Sequence, residues 1–386
     1  MFLEQKTQIP YSSSYQTGKE ISYIREVLDT GLISGNHKFT KLCHDFFNSH
    51  FGFESCFLTN SCSQALEMAA QLCNLSDEDE VIIPSFSYVT DASSFVKTGA
   101  KVVFADSCKN SPHVDPSAIL KLLTKKTKVL VIVHYAGIPC DMDSILEIVR
   151  DHDLLLVEDC AQAIDVNFKG KPLGSFGDFS TFSFHETKNI HCGEGGLLVV
   201  NNDEYQTSAK QIWQEGTDKH LFENGEKSEY QWTHLGSSYQ PSELSAAFLY
   251  AQLCEMDFIS ARRKETYLNY FRLQELENKY SVVLPNSKNK DFNGHIFYLG
   301  LPSKKLRDSL ISFLKKHGIQ SAFHYLPLHK SQFWLKEHSD VTLNNAEYWS
   351  ECIIRLPIYL ELSPKDQQYI IDLIFRFFEV QTKDTI

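Results

Sequence analysis

The fold is decided by residues 154–200, whose sequence is LLLVEDCAQAIDVNFKGKPLGSFGDFSTFSFHETKNIHCGEGGLLVV. This segment contains three apolar runs of strand length, at 154–157, 179–184 and 197–200. The first run leads to Asp159, and the second leads to a polar cluster that contains Lys188. Ligands of open α/β sheets bind beyond the carboxyl ends of the strands. We therefore expect this acid and this lysine to lie beside a ligand.

Strand-like and helix-like segments alternate through roughly the first 150 residues, which is typical of a mostly parallel sheet covered on both faces. Four further predicted strands precede the segment above: Cys56–Thr59, Val81–Ile83, Val102–Phe104 and Val129–Val133. Together the runs predict an α/β fold with a mostly parallel seven-stranded sheet. We predict a large domain over residues 1–250 and a smaller C-terminal α+β domain over residues 251–386.

After residue 200 the pattern predicts a loop at 215–228 and a long helix from residue 242 toward 276. In the smaller domain we expect strands at 282–284 and 322–323, and a last helix that begins at Ser363-Pro364.

The composition limits the classes of partner. The chain has 386 residues and a formal net charge of −12, which disfavours a nucleic-acid partner because such a partner needs a basic face. The ten cysteines include no C-x-x-C pair and the first ten residues contain no apolar signal core, so we expect a cytoplasmic protein with reduced thiols. The apolar runs are too short for a membrane span.

An acid and a lysine at neighbouring strand ends are what pyridoxal 5'-phosphate requires. This cofactor needs a lysine to form a Schiff base with its aldehyde and a carboxylate to keep its ring nitrogen protonated. Asp159 and Lys188 could supply both groups. Spacing alone does not distinguish this interpretation from an ordinary strand-end acid and a surface lysine.

Six motifs that resemble those of one known family are spread along the chain. They are VEDCAQA, FSFHETKN, GEGG, PSFSYVT, VHYAG and GSSY. From about residue 10 to 380 the chain resembles the DegT/StrS-type sugar-nucleotide aminotransferases. These enzymes are fold-type-I, aspartate-aminotransferase-like enzymes that depend on pyridoxal phosphate. The resemblance implies that Lys188 is the catalytic lysine and that Asp159 is the partner of the ring nitrogen. A histidine at the lysine position is typical of related dehydratases, so Lys188 favours amino transfer.

The resemblance also implies cofactor contacts from side chains spread along the chain. These are Cys62, Ser63 and Ser183 for the phosphate, Tyr88 and Gln162 for the ring, and Ser238 for the phosphate of the partner subunit's cofactor. Four positions depart from the family pattern. Gln162 stands where many members have histidine, Cys62-Ser63 where most have glycine-threonine, and Ser238 where most have asparagine.

The substrate-binding residues implied by the resemblance are His185, His324, Tyr325 and His329, of which the last three lie in HYLPLH. The histidine spacings match no metal-binding motif, so we predict no metal site. Lys219 and Arg355 could meet a diphosphate, but so could other basic residues, and the sequence does not single them out.

The implied reaction is amino transfer from L-glutamate to carbon 4 of dTDP-4-keto-6-deoxy-D-glucose, with a galacto product, in a homodimer that shares its active sites. Three alternatives stay open. These are the gluco epimer, amination at carbon 3, and a regulator that binds pyridoxal phosphate without turnover.

Overall fold

The computed structural model describes residues 8–286 and 291–383. Within them the strands are β1 (Cys56–Thr59), β2 (Glu80–Pro84), β3 (Lys101–Ala105), β4 (Thr127–Val133), β5 (Leu155–Asp159), β6 (Asn167–Phe168), β7 (Lys171–Pro172), β8 (Phe179–Ser183), β9 (Gly196–Val200), β10 (Tyr298–Gly300) and β11 (Ile353–Arg355).

The α-helices of the same residues are α1 (Glu20–Thr30), α2 (Lys38–Phe51), α3 (Cys62–Leu72), α4 (Val89–Val96), α5 (Pro116–Leu122), α6 (Met142–His152), α7 (Gln206–Trp213), α8 (Lys219–Glu223), α9 (Glu243–Leu253), α10 (Met256–Asn269), α11 (Glu275–Tyr280), α12 (Lys304–Lys316), α13 (Asn344–Cys352) and α14 (Pro364–Lys383). None of these helices combines the length and the apolar composition that crossing a membrane requires.

The seven predicted strands form one sheet, in the order β1-β9-β8-β5-β4-β2-β3. Strand β9 runs antiparallel to both of its neighbours, and the pairs from β8 to β3 are parallel. The prediction of a mostly parallel seven-stranded α/β sheet is therefore confirmed. In this order β4, β5 and β8 are adjacent and parallel, so their carboxyl ends lie at one edge of the sheet.

Both faces of the sheet are covered, as the unbroken apolar runs of its strands require. On one face Val131 and Val157 pack in a core with Ala65 and Leu66 of α3. On the opposite face Leu130 and Leu156 pack with residues of α6, among them Ile145. Neighbouring residues of one strand thus enter different cores, because side chains alternate across a strand.

The C-terminal part has its own core, formed by α12, α14 and the two-stranded antiparallel sheet of β10 and β11. The predicted start of the last helix is confirmed, since Ser363 Oγ accepts a hydrogen bond from Asp366 N at 3.0 Å. The predicted division at residue 250 stays a prediction. The predicted strands at 282–284 and 322–323 are wrong, because each segment pairs only through an isolated bridge, at Val283 and Ala322.

Two further predictions after β9 need correction. The long helix predicted from residue 242 toward 276 is broken between α9 and α10, at Cys254 and Glu255. This break leaves α9 against α1 and α2, while Tyr267 of α10 enters the C-terminal core. The segment 215–228, for which the sequence predicts a loop, contains the short helix α8.

Glu158, at the end of β5, is a fully buried carboxylate that holds a loop against the sheet. Its oxygens accept hydrogen bonds from the backbone N–H groups of Gly174, Phe176 and Gly177, from Ser180 Oγ and from His134 Nε2, at 2.7–3.2 Å. Burial raises the pKa of Glu158, but His134 and the loop N–H groups outweigh burial, so the net shift is downward. Glu158 therefore stabilises the fold at neutral pH, and this contribution is lost as the pH falls through its lowered pKa.

We predict that Glu158→Gln lowers the free energy of unfolding by about 3 kcal/mol, because an amide NH₂ must face donors that a carboxylate oxygen accepted. Denaturant unfolding at pH 7 measures the loss. The matched control is Glu147→Gln on the exposed face of α6, for which we expect a change within about 0.5 kcal/mol. Equal effects of the two substitutions would contradict a special role for the buried carboxylate.

Candidate active site

A cavity of about 490 Å³ opens at the carboxyl ends of β4, β5 and β8. Ten of the twelve predicted site residues line it: Cys62, Ser63, Tyr88, Asp159, Gln162, Ser183, His185, Lys188, His324 and Tyr325. Residues from distant parts of the sequence therefore meet where a parallel sheet is expected to bind its ligand.

Asp159 and Lys188 both line the cavity because their strands are neighbours. Asp159 pairs in register with Thr181 of β8, and the chain then passes from β8 to Lys188. Asp159 Oδ1 accepts a hydrogen bond from Ala161 N at 2.7 Å, which fixes the carboxylate at the end of β5. Burial lowers the pKa of Lys188, while Asp159 opposes part of that shift. A lowered pKa leaves more of the amine neutral, the form that attacks an aldehyde.

The backbone around Lys188 is fastened to the glycine-rich turn. Lys188 N donates to His185 O at 2.9 Å, and Glu186 N donates to Gly193 O at 2.8 Å. Gly196 is required for a close approach, because a Cβ there would lie 2.4 Å from the carbonyl carbon of Ser61. The turn and the first residues of α3 are thereby held in contact.

The amino end of α3 offers a phosphate-binding site of the predicted kind. Ser61 caps this helix by accepting a hydrogen bond from Gln64 N at 3.3 Å, and Cys62 and Ser63 are the first two helical residues. The first N–H groups of a helix have no partner within it and carry partial positive charge, so they favour an anion. Ser183 faces the same cavity from the end of β8. This donor set fits the phosphate of pyridoxal phosphate.

Gln162 is held in one orientation by both ends of its amide. Its Oε1 accepts a hydrogen bond from Ala136 N at 2.6 Å, and its Nε2 donates to Tyr325 OH at 3.0 Å. Ala136 has a left-handed backbone, with φ of 63°. The amide is therefore a fixed part of the cavity wall beside Asp159, which fits the predicted contact with the ring of the cofactor.

The histidines deepest in the cavity are neutral. His324 stacks on Tyr325 with ring centroids 4.1 Å apart, and burial together with the nearby Lys188 lowers the pKa of His324 to about 3. His295, which the sequence does not single out, donates a hydrogen bond from its Nδ1 to Asn189 Oδ1 at 2.8 Å. Burial and Lys188 also hold the pKa of His295 well below its usual value.

Two predicted residues form the mouth of the cavity. The side chain of Tyr88 is 56% exposed, so one face of its ring is open to a ligand. His185 is also partly exposed, and its Nδ1 is hydrogen-bonded to Thr187 Oγ1 at 3.0 Å. Both side chains are accessible to a substrate that enters.

The structure does not place His329 and Ser238 in the cavity wall. His329 is fully buried, with its Nδ1 2.6 Å from Ser85 Oγ and its Nε2 3.2 Å from Glu347 Oε1, and its predicted contact with substrate stays a prediction. Ser238 is exposed on the outer surface of this chain. Its predicted contact with the partner subunit's cofactor stays a prediction.

Arg355 lies in the cavity wall, although the sequence does not distinguish it from other basic residues as a possible anion ligand. It lines the wall at the end of β11, only 8% exposed, and its guanidinium lies 4.4 Å from the ring centroid of Tyr11. Within the described residues its Nε has no hydrogen-bond partner and it forms no ion pair. Burial lowers its pKa to about 9. A buried cation without a counter-charge in the cavity wall is suited to binding an anion.

Among the described residues, one group could hold a metal ion: His134, Glu158 and Cys160, whose ligand atoms lie within 4.8 Å of one another. The nitrogens of His134 are already used, because Nε2 contacts Glu158 at 3.0 Å and Nδ1 accepts from Cys140 N at 3.2 Å. The geometry of this group is therefore that of a hydrogen-bonded network.

The chain matches the DegT/DnrJ/EryC1/StrS aminotransferase family over residues 15–375. It is 31% identical to the uncharacterized protein MJ1066 of Methanocaldococcus jannaschii over 366 residues, 92% of this chain and 93% of that protein. It is 32% identical to a pleiotropic regulatory protein of Geobacillus stearothermophilus over 319 residues, 82% of this chain and 83% of that protein.

Solved structures share the fold along nearly the whole chain. PseC of Helicobacter pylori, an aminotransferase of pseudoaminic acid biosynthesis, is 26% identical with a TM-score of 0.89, covering 97% of this chain and 100% of that one. The putative sugar aminotransferase Spr1654 of Streptococcus pneumoniae, in its PMP form, is 25% identical with a TM-score of 0.89, covering 98% of this chain and 100% of that one. These similarities confirm the predicted aminotransferase fold.

We predict that Lys188→Ala and Lys188→Arg each reduce turnover by about a thousandfold or more, because neither side chain supplies an attacking amine. Borohydride reduction followed by mass spectrometry should find pyridoxal phosphate bound to the natural protein and not to either variant. The control is Lys304→Ala, an exposed lysine of α12 paired with Glu351. Retained covalent labelling in Lys188→Ala would contradict the assignment.

Proposed function

Because the chain belongs to the DegT/DnrJ/EryC1/StrS aminotransferase family, we propose that it converts dTDP-4-keto-6-deoxy-D-glucose and L-glutamate to dTDP-4-amino-4,6-dideoxy-D-galactose and 2-oxoglutarate. Such an amino sugar would serve bacterial surface polysaccharide. Pyridoxal 5'-phosphate is the cofactor. The observation that carries the proposal is that Lys188 and Asp159 line one cavity beside a helix amino end suited to phosphate.

Each cavity residue has a chemical role in this proposal. The cofactor, when bound, supplies a protonated ring that withdraws electrons from the reacting carbon. Asp159 would accept the hydrogen bond of the ring nitrogen and keep that nitrogen protonated. The Nζ of Lys188 would move a proton between the substrate carbon and the cofactor carbon. The first N–H groups of α3, with Ser63 and Ser183, would bind the phosphate.

The walls of the cavity support a sugar nucleotide as the amino acceptor. Tyr88, Tyr325 and His324 present aromatic surface, which packs against the apolar faces of sugars and bases. His185 at the mouth can hydrogen-bond to a hydroxyl. The galacto configuration rests on the resemblance of the HETKN segment. The gluco epimer and amination at carbon 3 are the alternative products.

Arg355 supports L-glutamate as the amino donor. A guanidinium binds a carboxylate through two parallel hydrogen bonds, and the buried Arg355 has its Nε free for one of them. A donor carboxylate would supply the counter-charge that this cation needs. The diphosphate of the nucleotide is the other anion that could take this place.

We propose a cytoplasmic homodimer in which the segment with Ser238 reaches the partner's cavity. This segment carries large apolar side chains on its surface, with Trp232 78% exposed and Leu235 73% exposed. Burial of such side chains favours association of two copies. The exposed position of Ser238 is consistent with a contact to the other subunit.

A regulator without turnover is the second candidate function, and the similarity to the pleiotropic regulatory protein of Geobacillus stearothermophilus favours it. A cofactor pocket alone would serve either role. The lysine in the cavity, with its lowered pKa, favours the enzyme, because a binding role needs no reactive amine.

The enzyme is tested by incubation with dTDP-4-keto-6-deoxy-D-glucose and L-glutamate, with the product assigned by proton NMR. We predict equal amounts of amino sugar and 2-oxoglutarate, with a small coupling between sugar protons 3 and 4 because the new amine is axial. A large coupling would show that the amine is equatorial and that the product is the gluco epimer. Absence of both products would favour another keto sugar or the regulator.

We predict that Arg355→Met raises KM for L-glutamate by about 10- to 100-fold, the cost of one charge-assisted hydrogen bond. KM for the keto sugar should change less than about threefold. Arg355→Lys should recover part of the loss, and Arg150→Met, an exposed arginine of α6, is the control. If KM rises for the keto sugar and not for glutamate, Arg355 binds the diphosphate instead.

A further inference from the structure

Asp91 does not line the cavity, and no step of the proposed reaction uses it. It belongs to the first turn of α4 and is completely buried. Its Oδ2 accepts a hydrogen bond from Ser87 Oγ. No donor in the part of the chain that the structure describes reaches its Oδ1. A buried carboxyl oxygen without a donor is costly and calls for an explanation.

The neighbour that explains it is Asp159. Asp159 acts on the carboxyl group of Asp91 both through its charge and through a side-chain hydrogen bond. Two buried carboxyl groups that share a hydrogen bond hold a proton between them, because two anions would repel each other strongly. A proton on Asp91 Oδ1 would satisfy the oxygen that has no donor and would turn the repulsion into a hydrogen bond.

We infer that Asp91 is held protonated and donates its Oδ1–H to Asp159, which makes it a positioning residue for the carboxylate that meets the cofactor's ring nitrogen. This inference rests on the proposed role of Asp159. The donated hydrogen bond stabilises the anionic form of Asp159. The proton shared between Asp159 and the ring nitrogen therefore stays on the nitrogen, where it makes the ring an acceptor of electrons.

The groups around Asp91 decide which of the two acids carries the proton. Asp159 faces it from the end of β5, Lys188 from beyond β8, Cys62 from the start of α3 and Tyr325 from the segment after α12. Lys188, Ser87 and the amino end of α4 favour an ionised Asp91. Burial, followed by Asp159, outweighs them and raises the pKa of Asp91 well above its usual value.

Asp159 is the acid of the pair that accepts the hydrogen bond, because it faces the cavity and Asp91 does not. It lies in the cavity wall with Lys188, and its Oδ1 already accepts a hydrogen bond from Ala161 N at 2.7 Å. Asp91 lies deeper, and its one described donor is Ser87. The acid of a close pair that faces the more polar surroundings takes the charge.

Asp91→Asn and Asp91→Ala test this assignment through the dissociation constant of pyridoxal phosphate, which requires no sugar substrate. The Asn amide can donate to Asp159 and accept from Ser87, so we expect affinity within about threefold of the natural protein. Ala leaves Asp159 without its donor, and we expect affinity to fall by about tenfold or more. An Asn variant as weak as the Ala variant would overturn the inference, because an ionised Asp91 would then be what matters. An Ala variant with natural affinity would overturn it as well.

The thermal stability of the holoenzyme against pH gives a second readout, using only the natural protein and Asp91→Asn. An acid whose pKa is raised by folding binds its proton in the folded state and loses it on unfolding. The natural protein should therefore lose stability relative to Asp91→Asn as the pH rises from about 4 toward the raised pKa of Asp91. Its unfolding constant should rise, relative to that of the variant, by up to about tenfold per pH unit. A difference in Tm that is constant with pH would contradict a protonated Asp91. If the cofactor affinities and the pH dependence are as expected but the sugar is not turned over, the proposed substrate is wrong and the inference about Asp91 stands.

Discussion

The geometry of the site depends on two neighbouring acids at the end of one central strand. Side chains alternate across β5, so Glu158 and Asp159 act on opposite sides of the sheet. Glu158 is saturated by donors from the loop 174–177 and from His134, which fastens the end of the strand from behind. Asp159 is left to face the cavity from a strand held between β4 and β8. The hydrogen-bonded Glu158 thus fixes the position of Asp159, the acid proposed to meet the cofactor.

Burial sets the charges within the cavity more than pairing does. His324 and His295 are kept neutral by desolvation, with Lys188 adding to the effect. Burial also lowers the pKa of Lys188, although the charge of Asp159 opposes part of this shift. Arg355 stays a cation because a guanidinium is charged even with its pKa lowered to about 9. The cavity therefore offers one permanent cation for an anionic substrate and one amine that can change its protonation state.

Most of the fold and much of the site could be predicted because they are encoded locally. Buried parallel strands are short apolar runs, and Asp159, Gln162 and Lys188 lie close to them in the segment 154–200. His295 and Arg355 could not be found in this way, because they reach the cavity from the C-terminal part, through contacts that no spacing reveals. The same limit applies to His329, which the sequence groups with the cavity residues but which does not line the cavity. It lies four residues from Tyr325 in the sequence, but the chain turns inward and its ring is enclosed by Ser85 and Glu347.

The central claim is that this cavity moves an amino group from an amino acid to a nucleotide sugar, and ¹⁵N-labelled L-glutamate tests it most directly. The holoenzyme would first be treated with labelled glutamate alone, freed of excess donor, and then given dTDP-4-keto-6-deoxy-D-glucose. Transfer in two half-reactions predicts about one equivalent of 2-oxoglutarate per active site in the first step. In the second step ¹⁵N should appear bonded to carbon 4 of the sugar. Release of no 2-oxoglutarate in the first step, from protein that holds its full complement of cofactor, would contradict amino transfer and leave the cavity as a binding site.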